Sequence, residues 1–390
     1  MAKKQQIERV GIVADILRRL ENSPVVGVLG ARQVGKTTLS RQVEAAWPGV
    51  VTRFDLELPA DRDALTQSPQ AVLSQCDGLV ILDEVQRLPE LFTLLRPLCD
   101  RQDRSTRFLL LGSAPWEMVK GVSESLAGRI QFVDVSGFSL GETGYECLQQ
   151  LWFRGGFPQA FLSGSDSEAM EWHEAFGRTF LERDISNLGF VAAPEALRRF
   201  WMMMAHFHGQ TWNGSRLAEA MGANRATVDR YRDILTGTFM VRVLSPWFEN
   251  LGKRLVRSPK VYIRDSGVLH QLLGMREPMD LPRHPQYGAS WEGFALEQTL
   301  TAHGQRDAYF YGTQRGAELD LLLLRRGLRW GFEFKCADAP ATTKSMHIAL
   351  EDLKLEHLWV VYPGSRQYPM ADKITAIPLP EICRIELKGL

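Results

Sequence analysis

The chain has 390 residues, of which 45% are hydrophobic and 24% charged, with 46 basic and 46 acidic side chains. This length exceeds what one hydrophobic core usually serves, so two or three globular domains are expected. A formal net charge of zero excludes a global basic field, and nucleic-acid contact would therefore depend on local basic patches. Five cysteines without a C-x-x-C pair, no signal-peptide pattern and no long apolar run together predict a cytoplasmic protein with no membrane partner.

Residues 30–37 spell Gly-Ala-Arg-Gln-Val-Gly-Lys-Thr, between an apolar strand-like run and a helix-permissive run. This is the strand–loop–helix setting of a phosphate-binding loop, in which the glycines permit a tight turn and backbone N–H groups face phosphate oxygens. Lys36 is predicted to reach the β- and γ-phosphates, and Thr37 to hold Mg²⁺. The predicted ATP contacts are Gly30, Ala31, Arg32, Gln33, Val34, Gly35, Lys36, Thr37 and Thr38.

Short apolar runs recur through the first third of the chain, at 25–29, 50–54, 79–82, 108–111 and 131–135. Helix-permissive segments between most of them predict βαβ units and a parallel sheet covered on both faces. Asp83 and Glu84 follow the third run, so both should lie at the sheet edge that carries the phosphate loop. We predict that Asp83 holds Mg²⁺ together with Thr37 and that Glu84 orients the attacking water.

Two further residues are candidates for the same site. Ser113 ends the fourth apolar run, where it would sense the γ-phosphate, although a plain turn at a strand end is the alternative. Arg129 precedes the fifth run and is a candidate arginine finger, a residue that acts on the nucleotide of a neighbouring subunit. That interpretation implies a homo-oligomer such as a ring, and an ordinary surface arginine is the alternative.

Four segments together resemble a family of prokaryotic ATPases that join an AAA-type domain to a C-terminal domain of unknown function, DUF4143. They are the phosphate loop, Asp-Glu-Val-Gln at 83–86, Ser-Leu-Ala-Gly-Arg at 125–129 and Leu-Trp-Phe-Arg-Gly-Gly-Phe-Pro at 151–158. The resemblance covers nearly the whole chain. It implies a helical lid over the nucleotide, and the segment from 156 to 187 is indeed helical in pattern. One amphipathic face is predicted there, formed by Trp172, Ala175, Phe176, Thr179 and Phe180.

Residues 215–235 have the spacing of a helix-turn-helix. Leu217 and Ala218 precede a turn at Gly222, and Val228 follows on the second helix. Alternation at 239–244 adds a strand, so we predict a winged helix. The predicted nucleic-acid contacts are Arg225, Thr227 and Arg230 on the second helix, with Lys253, Arg254 and Arg257 in the densest basic run of the chain. A winged helix that packs against protein is the alternative.

Strand patterns at 309–311, 317–324, 330–335 and 357–362 follow a helical stretch that contains Glu292. Asp320 lies on the second strand and Glu333-x-Lys335 on the third, where alternation places both side chains on one face. Asp320 and Glu333 are predicted to bind Mg²⁺, with Lys335 beside them to activate a water. The arrangement resembles the restriction-endonuclease-like fold and its D…(D/E)-x-K nucleases; a salt pair on a solvated strand is the alternative.

The predicted architecture is an α/β chain of four parts: a P-loop AAA-type ATPase core (1–145), a helical lid (146–200), a winged helix-turn-helix (201–270) and a restriction-endonuclease-like DUF4143 domain (271–390). The first hypothesis is an ATPase that uses ATP and Mg²⁺ to act on DNA, with metal-dependent cleavage open. The alternative is an ATP-driven switch that binds a protein partner, with an inactive nuclease fold as scaffold. An NTP-driven sensor ranks last because no repeat array is visible.

Overall fold

The computed structural model describes residues 7–101, 106–113, 126–188, 190, 192–249 and 254–387. The chain divides into two compact units, one formed by residues 1–137 with 237–239 and the other by residues 138–236 with 240–390. Within the described ranges no helix combines the length and apolar character needed to cross a bilayer.

A parallel five-stranded sheet forms the centre of the first unit. Its strands are β1 (Val25–Leu29), β2 (Val51–Asp55), β3 (Leu79–Asp83), β4 (Arg107–Gly112) and β5 (Ile130–Asp134), in the spatial order β2-β3-β4-β1-β5. The five predicted strands are confirmed to within one residue at each end. β1 and β3 are buried along their whole length, as their unbroken apolar sequences indicate for strands covered on both faces.

Helices alternate with these strands: α1 (Val10–Asn22), α2 (Lys36–Ala46), α3 (Pro59–Gln67), α4 (Pro69–Ser74) and α5 (Leu91–Cys99). α3 and α4 each begin with proline, which suits the first helical position because its missing N–H would have no intrahelical partner there. Since all neighbouring strands run parallel, the segments after β1, β3 and β4 lie at one edge of the sheet. Those three segments carry most of the predicted nucleotide-site residues.

The second unit begins with short helices: α6 (Leu140–Thr143), α7 (Leu148–Arg154), α8 (Pro158–Phe161), α9 (Asp166–Thr179), a π-helical turn (Phe180–Asp184) and α10 (Ile185–Asn187). The predicted apolar face of α9 is partly wrong, because Ala175 and Thr179 are exposed. The buried side chains of α9 are Ala169, Met170, His173 and Phe176. His173 lies on this face because its ring nitrogen bonds the carbonyl of Arg154 at 2.7 Å, a polar anchor that an apolar pattern does not reveal.

A helix–strand–helix–helix–strand–strand module follows: α11 (Pro194–His206), β6 (Gln210–Thr211), α12 (Gly214–Met221), α13 (Arg225–Gly237), β7 (Val241–Leu244) and β8 (Lys260–Ile263). The strands form an antiparallel sheet in the order β6-β8-β7. Gly222 ends α12 with a φ of 63°, a left-handed conformation that glycine adopts without strain. Leu217, Ala218 and Val228 are buried, as the spacing of the helix-turn-helix predicts.

The C-terminal part contains α14 (Ser266–Leu272), α15 (Tyr287–His303), β9 (Ala308–Gly312), β10 (Glu318–Arg325), β11 (Leu328–Phe334), α16 (Lys344–Asp352), β12 (His357–Tyr362), β13 (Tyr368–Ala371), β14 (Ile374–Pro378) and α17 (Leu379–Ile382). The six strands are ordered β13-β14-β12-β11-β10-β9. β9, β10 and β11 are antiparallel, whereas β12 runs parallel to β11 and β14. The four predicted strands are present; β13 and β14 were not predicted.

The chain between β7 and β8 covers the edge strand β9. Trp247 N donates to the carbonyl of Phe310 at 2.7 Å, and Val256 N donates to the carbonyl of Gly312 at 2.8 Å. An uncovered edge strand would offer unpaired backbone groups to other chains, so this cover protects the sheet. The predicted wing therefore has part of its backbone committed to the six-stranded sheet.

Candidate functional site

The segment after β1 forms a tight loop that leads directly into α2. A Cβ at Gly30 would lie 2.2 Å from the carbonyl oxygen of Val135, so a side chain does not fit there. Gln33 and Gly35 have left-handed backbone conformations, with φ of 63° and 92°. Because α2 begins at Lys36, the N–H groups of its first turn have no intrahelical acceptor and are available to an anion.

Lys36 is buried inside this loop. Its Nζ donates to the carbonyl oxygens of Gly30 at 3.0 Å and Ala31 at 2.9 Å. Burial lowers the pKa of Lys36 to about 8, against the opposing charges of Glu84 and Asp83. A buried ammonium held by neutral carbonyl groups is prepared to exchange them for a phosphate oxygen.

The other predicted ATP contacts differ in what they can present to a ligand. Ala31 and Val34 are buried, so they would act through their backbone. Arg32 lies 3.5 Å from Glu57, and the side chain of Thr38 is exposed on α2. The loop thus brings all nine residues together, and most of them would contact a ligand through backbone groups instead of side chains.

Thr37 and Asp83 form a pair at the carboxyl edge of the sheet. Thr37 Oγ1 donates to Asp83 Oδ2 at 2.9 Å, and an Arg53 nitrogen lies 3.9 Å from the same oxygen. Burial raises the pKa of Asp83, and the hydrogen bond from Thr37 opposes that rise. A hydroxyl beside a carboxylate, next to an anion-binding loop, is an oxygen donor set that fits Mg²⁺.

Three polar side chains extend this site. Gln86 Nε2 donates to Glu84 Oε2 and, at 3.0 Å, to Ser113 Oγ, which itself lies 3.4 Å from Glu84 Oε2. Glu84 has a left-handed backbone with φ of 54°, so its side chain is set by a strained turn directly after β3. Gln86 was not among the predicted site residues. Its signals in the sequence were its place two positions after the acidic pair and in the segment 83–86, which contributes to the family resemblance.

Arg129 lies away from the loop of its own chain. Its carbonyl accepts from Val25 N, the first residue of β1, so Arg129 stands at the amino edge of the sheet. Its guanidinium forms two hydrogen bonds to Asp100, at 2.7 and 2.9 Å, and these raise the pKa of Arg129. A role as an arginine finger would therefore be exerted on another subunit.

A second polar cluster lies in the C-terminal part. Lys260 Nζ is 3.1 Å from Glu292 Oε1 and 3.1 Å from Asp320 Oδ1, and it also pairs with Glu318. Tyr262 donates its hydroxyl to Glu292 Oε1 at 2.7 Å. Lys260, from β8, thus joins acids from α15 and β10, and we call this group the acidic cluster: Lys260, Glu292, Glu318, Asp320, Glu333 and Lys335.

The remaining two members adjoin Asp320. Lys335 Nζ lies 2.7 Å from Glu333 Oε2, and Asp320 Oδ2 accepts from Phe334 N at 3.1 Å. Burial and the charge of Asp320 raise the pKa of Glu333 well above its usual range. Burial acts upward on Asp320 too, but the charges of Lys260 and Lys335 hold its pKa below the ordinary value. The predicted trio of Asp320, Glu333 and Lys335 is therefore assembled.

The predicted second metal site does not fit this arrangement. Lys260 and Lys335 occupy the carboxylate oxygens that Mg²⁺ would need, and the described residues contain no group of three or more His, Cys, Asp or Glu side chains arranged to hold a metal ion. Lys260 follows the basic residues predicted to contact DNA closely in sequence, yet it is only 3% exposed. Sequence alone could not place a lysine from β8 among acids far along the chain.

The predicted nucleic-acid contacts have different environments. Arg225 and Arg230 are exposed, and Arg225 lies 3.3 Å from Asp229. Thr227 donates its hydroxyl to the Asn224 side chain at 3.0 Å, in the first turn of α13. On the β7–β8 connection, Arg254 and Arg257 are exposed, and they line a cleft with Phe248, Leu255 and Gln314. Lys253 lies outside the described residues.

Three family models match successive parts of the chain. An AAA domain matches residues 22–144, a domain of unknown function, DUF8612, matches residues 145–279, and a second, DUF4143, matches residues 287–382. The prediction of an AAA-type domain followed by DUF4143 is confirmed. The predicted lid and winged helix fall within the single DUF8612 match.

Among solved structures, the Walker-type ATPase PABY2304 of Pyrococcus abyssi is similar, with a TM-score of 0.49, 15% identity and coverage of 69% of this chain and 96% of that one. The RuvB Holliday junction branch migration motor of Thermotoga maritima has a TM-score of 0.31, 14% identity and coverage of 60% and 89%. Nothing about function follows from likenesses this distant.

Two mycobacterial proteins are much more similar in sequence. The uncharacterized proteins Rv2008c of Mycobacterium tuberculosis and Mb2031c of Mycobacterium bovis are each 44% identical over 376 residues, which cover 96% of this chain and 85% of theirs. The chain therefore belongs to the family of these two proteins.

Proposed function

We propose that the chain hydrolyses ATP with Mg²⁺ in its first unit and couples this reaction to DNA bound by the second unit. The observation that carries the ATPase proposal is the buried Lys36 amine, held by loop carbonyls beside the Thr37–Asp83 pair. A cation, free helix N–H groups and a hydroxyl–carboxylate pair converge at one sheet edge. That combination matches the charge and oxygen chemistry of a nucleoside triphosphate.

Each residue of the site has a distinct role in this proposal. Lys36 would bind the β- and γ-phosphates, and Thr37 with Asp83 would hold Mg²⁺, which supplies charge neutralisation on the phosphates when bound. Glu84 would orient the attacking water. Gln86 and Ser113 would hold the Glu84 carboxylate in place. Because Ser113 contacts Glu84, a γ-phosphate oxygen that bonds Ser113 would also affect the position of Glu84.

A winged helix that contacts DNA is supported by the element order of residues 194–263 and by exposed arginines. Arg225 and Arg230 lie on the second helix of the helix-turn-helix, and Arg254 and Arg257 lie on the β7–β8 connection. Asp229 and Asp233 reduce the positive charge of that helix, since Arg225 and Arg232 already pair with them. We therefore propose contacts to the phosphate backbone without strong base readout.

ATP hydrolysis measured with single-stranded, duplex and branched DNA tests the coupling. We expect at least one form to stimulate hydrolysis, with an affinity that falls as salt rises because counterions are released. Arg254→Ala combined with Arg257→Ala should weaken stimulation while basal hydrolysis stays unchanged. Lys344→Ala, at the exposed start of α16, is the matched control. Binding that is absent or insensitive to salt would instead favour the ATP-driven switch that binds a protein partner.

A homo-oligomer is the proposed working form, because Arg129 stands at the sheet edge opposite the loop of its own chain. Arg129→Ala would then inactivate a neighbour's site, and Lys36→Ala its own. Mixing the two inactive variants should restore part of the ATPase activity, because a mixed oligomer contains sites with both residues intact. An Arg129→Ala variant that keeps its activity would assign Arg129 to the ordinary surface, and two inactive variants that stay inactive after mixing would contradict action on a neighbour's site.

A restriction-endonuclease-like C-terminal fold is proposed as a finer description. A helix, three antiparallel strands, a second helix and a parallel strand occur in that order from α15 to β12, with Asp320 and Glu333-x-Lys335 on the middle strands. Lysine side chains pair with the carboxylates that would have to bind the metal, so DNA cleavage is not part of the proposed activity. The module would hold DNA or a partner as a scaffold.

A further inference from the structure

A cleft in the second unit combines an exposed aromatic ring with two arginines. It has a volume of about 580 Å³ and is lined by Phe248, Arg254, Leu255, Arg257 and Gln314. Clefts that hold small organic groups usually have volumes of about 300–1,000 Å³. The cleft therefore has room for an unstacked nucleobase with its sugar.

Phe248 differs from the other exposed apolar side chains. It is 57% exposed, and it is the only aromatic residue among the large hydrophobic side chains exposed in the described part of the chain. Single exposed apolar residues are common on protein surfaces and by themselves indicate nothing. The ring of Phe248, however, lines a cleft together with cationic side chains. That combination suits a ligand that has both a flat apolar face and negative charge.

The residues on either side of Phe248 are anchored. Trp247 N donates to the carbonyl of Phe310 at 2.7 Å, and the Glu249 carboxylate accepts two hydrogen bonds from Arg329, at 2.7 and 3.1 Å. The charge of Glu249 is thereby paired and does not oppose an anion in the cleft. Because the backbone at Phe248 is held in place before a ligand arrives, stacking on its ring costs little conformational entropy.

The two arginines lie on a segment that is bonded to the edge of the six-stranded sheet. Gln314 N donates to the carbonyl of Arg254 at 2.9 Å, and Val256 N donates to the carbonyl of Gly312 at 2.8 Å. Arg254 and Arg257 are exposed, and neither forms an ion pair with any residue that the structure describes. Their charges are therefore available to phosphate groups.

We propose that this cleft holds a single-stranded segment of DNA, with one base stacked on Phe248 and neighbouring phosphates bound by Arg254 and Arg257. In duplex DNA the faces of each base are covered by its neighbours, so a duplex would use the arginines but not the ring. The Gln314 amide both donates and accepts, so it can bond the polar edge of more than one kind of base. The inference rests on the proposed DNA binding and specifies the form of DNA that this site takes.

The affinity of the full chain for a single-stranded thymidine oligomer and for an abasic oligomer of the same length tests the proposal. The wild type should bind the thymidine oligomer at least about tenfold more tightly, because the abasic oligomer has phosphates but no base to stack. Phe248→Ala should lose about tenfold in affinity for the thymidine oligomer and almost nothing for the abasic one. Phe248→Leu should behave in the same way, whereas Phe248→Trp keeps an aromatic ring and should retain the preference.

Loss of the arginines should have a different signature. Arg254→Ala combined with Arg257→Ala should weaken binding of both oligomers. It should also reduce the slope of log affinity against log salt concentration by about 1.4, since each phosphate contact on a single strand contributes about 0.7. Phe248→Ala should leave that slope unchanged. Met279→Ala, which changes a side chain that is 60% exposed in the same unit, is the matched control and should bind like the wild type.

The outcomes separate this inference from the proposed function. Wild-type affinity of Phe248→Ala for the thymidine oligomer would overturn the inference and leave DNA binding by the arginines intact. Equal losses on both oligomers would also overturn it, because they would assign Phe248 to the structure of the cleft and not to stacking on a base. Salt-dependent binding of duplex DNA without binding of either oligomer would contradict this inference alone. Absence of binding to every form of DNA would contradict the proposed coupling to DNA as well.

Discussion

Lys36 in the first unit and Lys260 in the second are both buried lysines near acids, yet their partners differ. Lys36 donates to two neutral carbonyl oxygens, whereas Lys260 is surrounded by the carboxylates of Glu292, Glu318 and Asp320. Burial consequently lowers the pKa of Lys36 to about 8. For Lys260 burial acts in the same direction, but the surrounding negative charges raise its pKa well above the usual value.

This difference distinguishes a lysine whose charge is available to a ligand from one whose charge is already neutralised by carboxylates. An ammonium bonded to carbonyl groups gains strongly when an anionic phosphate replaces them. An ammonium bonded to carboxylates has no such gain, and its loss exposes buried negative charge. The presence of lysines and acids together is thus a poor guide to chemistry until the direct partners of each lysine are known.

The largest expected difference in stability follows from removing each lysine. Lys260→Ala should lower the free energy of unfolding of the second unit by about 3–5 kcal/mol, because it strands buried carboxylates. Lys36→Ala should cost much less, since it leaves two carbonyl groups and no unpaired charge. Urea unfolding followed by tryptophan fluorescence suits the comparison, because eight of the ten tryptophans lie in the second unit. Equal destabilisation by both variants would refute the contrast.

Histidine protonation should weaken the second unit and not the first, because all eight histidines lie in the second. Burial lowers the pKa of His270 to about 4 and that of His208 to about 3. As the pH falls below about 6.5, these histidines become protonated in the unfolded chain but stay neutral in the folded one. The free energy of unfolding therefore decreases. Each histidine should remove about 1.6 kcal/mol between pH 6.5 and 5.

His270→Asn provides the check on that pH dependence. His270 bridges the carbonyl of Phe153 at 2.9 Å and the hydroxyl of Ser290 at 2.7 Å. The variant will be less stable at neutral pH, but its loss of stability towards pH 5 should be shallower than that of the wild type. His347→Asn, which changes an exposed histidine, should retain the wild-type slope. An unchanged slope in His270→Asn would rule out a neutral buried imidazole.

A smaller effect is expected from Gln86, which positions Glu84 without itself contacting the phosphates in the proposed mechanism. Gln86→Ala should lower kcat about tenfold, equivalent to about 1.4 kcal/mol, while KM for ATP changes little. Gln75→Ala, at an exposed position in the same unit, is the control. A rise in KM with unchanged kcat would show that Gln86 contributes to ATP binding instead of to the position of Glu84.

Local patterns predicted the first unit well. The strand ends, the phosphate loop and the Thr37–Asp83 pair all follow from short segments in which apolar runs, glycines and acids stand in a fixed order. The four predicted C-terminal strands, and the convergence of Asp320, Glu333 and Lys335, follow for the same reason. In each case the contacting residues lie on a recognisable strand or in the segment that follows one.

Long-range partners could not be predicted in this way. Lys260 meets Asp320 across 60 positions of sequence, and the basic residues shortly before it, Arg254 and Arg257, are exposed. Nothing local distinguishes it from Arg257. The docking of the β7–β8 connection on β9 was missed because it uses backbone groups, which every sequence carries. His173 was not predicted on the buried face of α9 because its ring is polar. Its hydrogen bond to the carbonyl of Arg154 allows the ring to be buried.

The most direct measurement is the rate of ATP hydrolysis with Mg²⁺ by the wild type, Lys36→Ala and the control Lys344→Ala. Lys36→Ala should lose at least about a hundredfold in rate, because the loop then lacks the cation that stabilises charge on the transferred phosphoryl group. Lys344→Ala should match the wild type. Turnover by Lys36→Ala at the wild-type rate, or no hydrolysis by the wild type in any condition with ATP, Mg²⁺ and DNA, would contradict the proposed function.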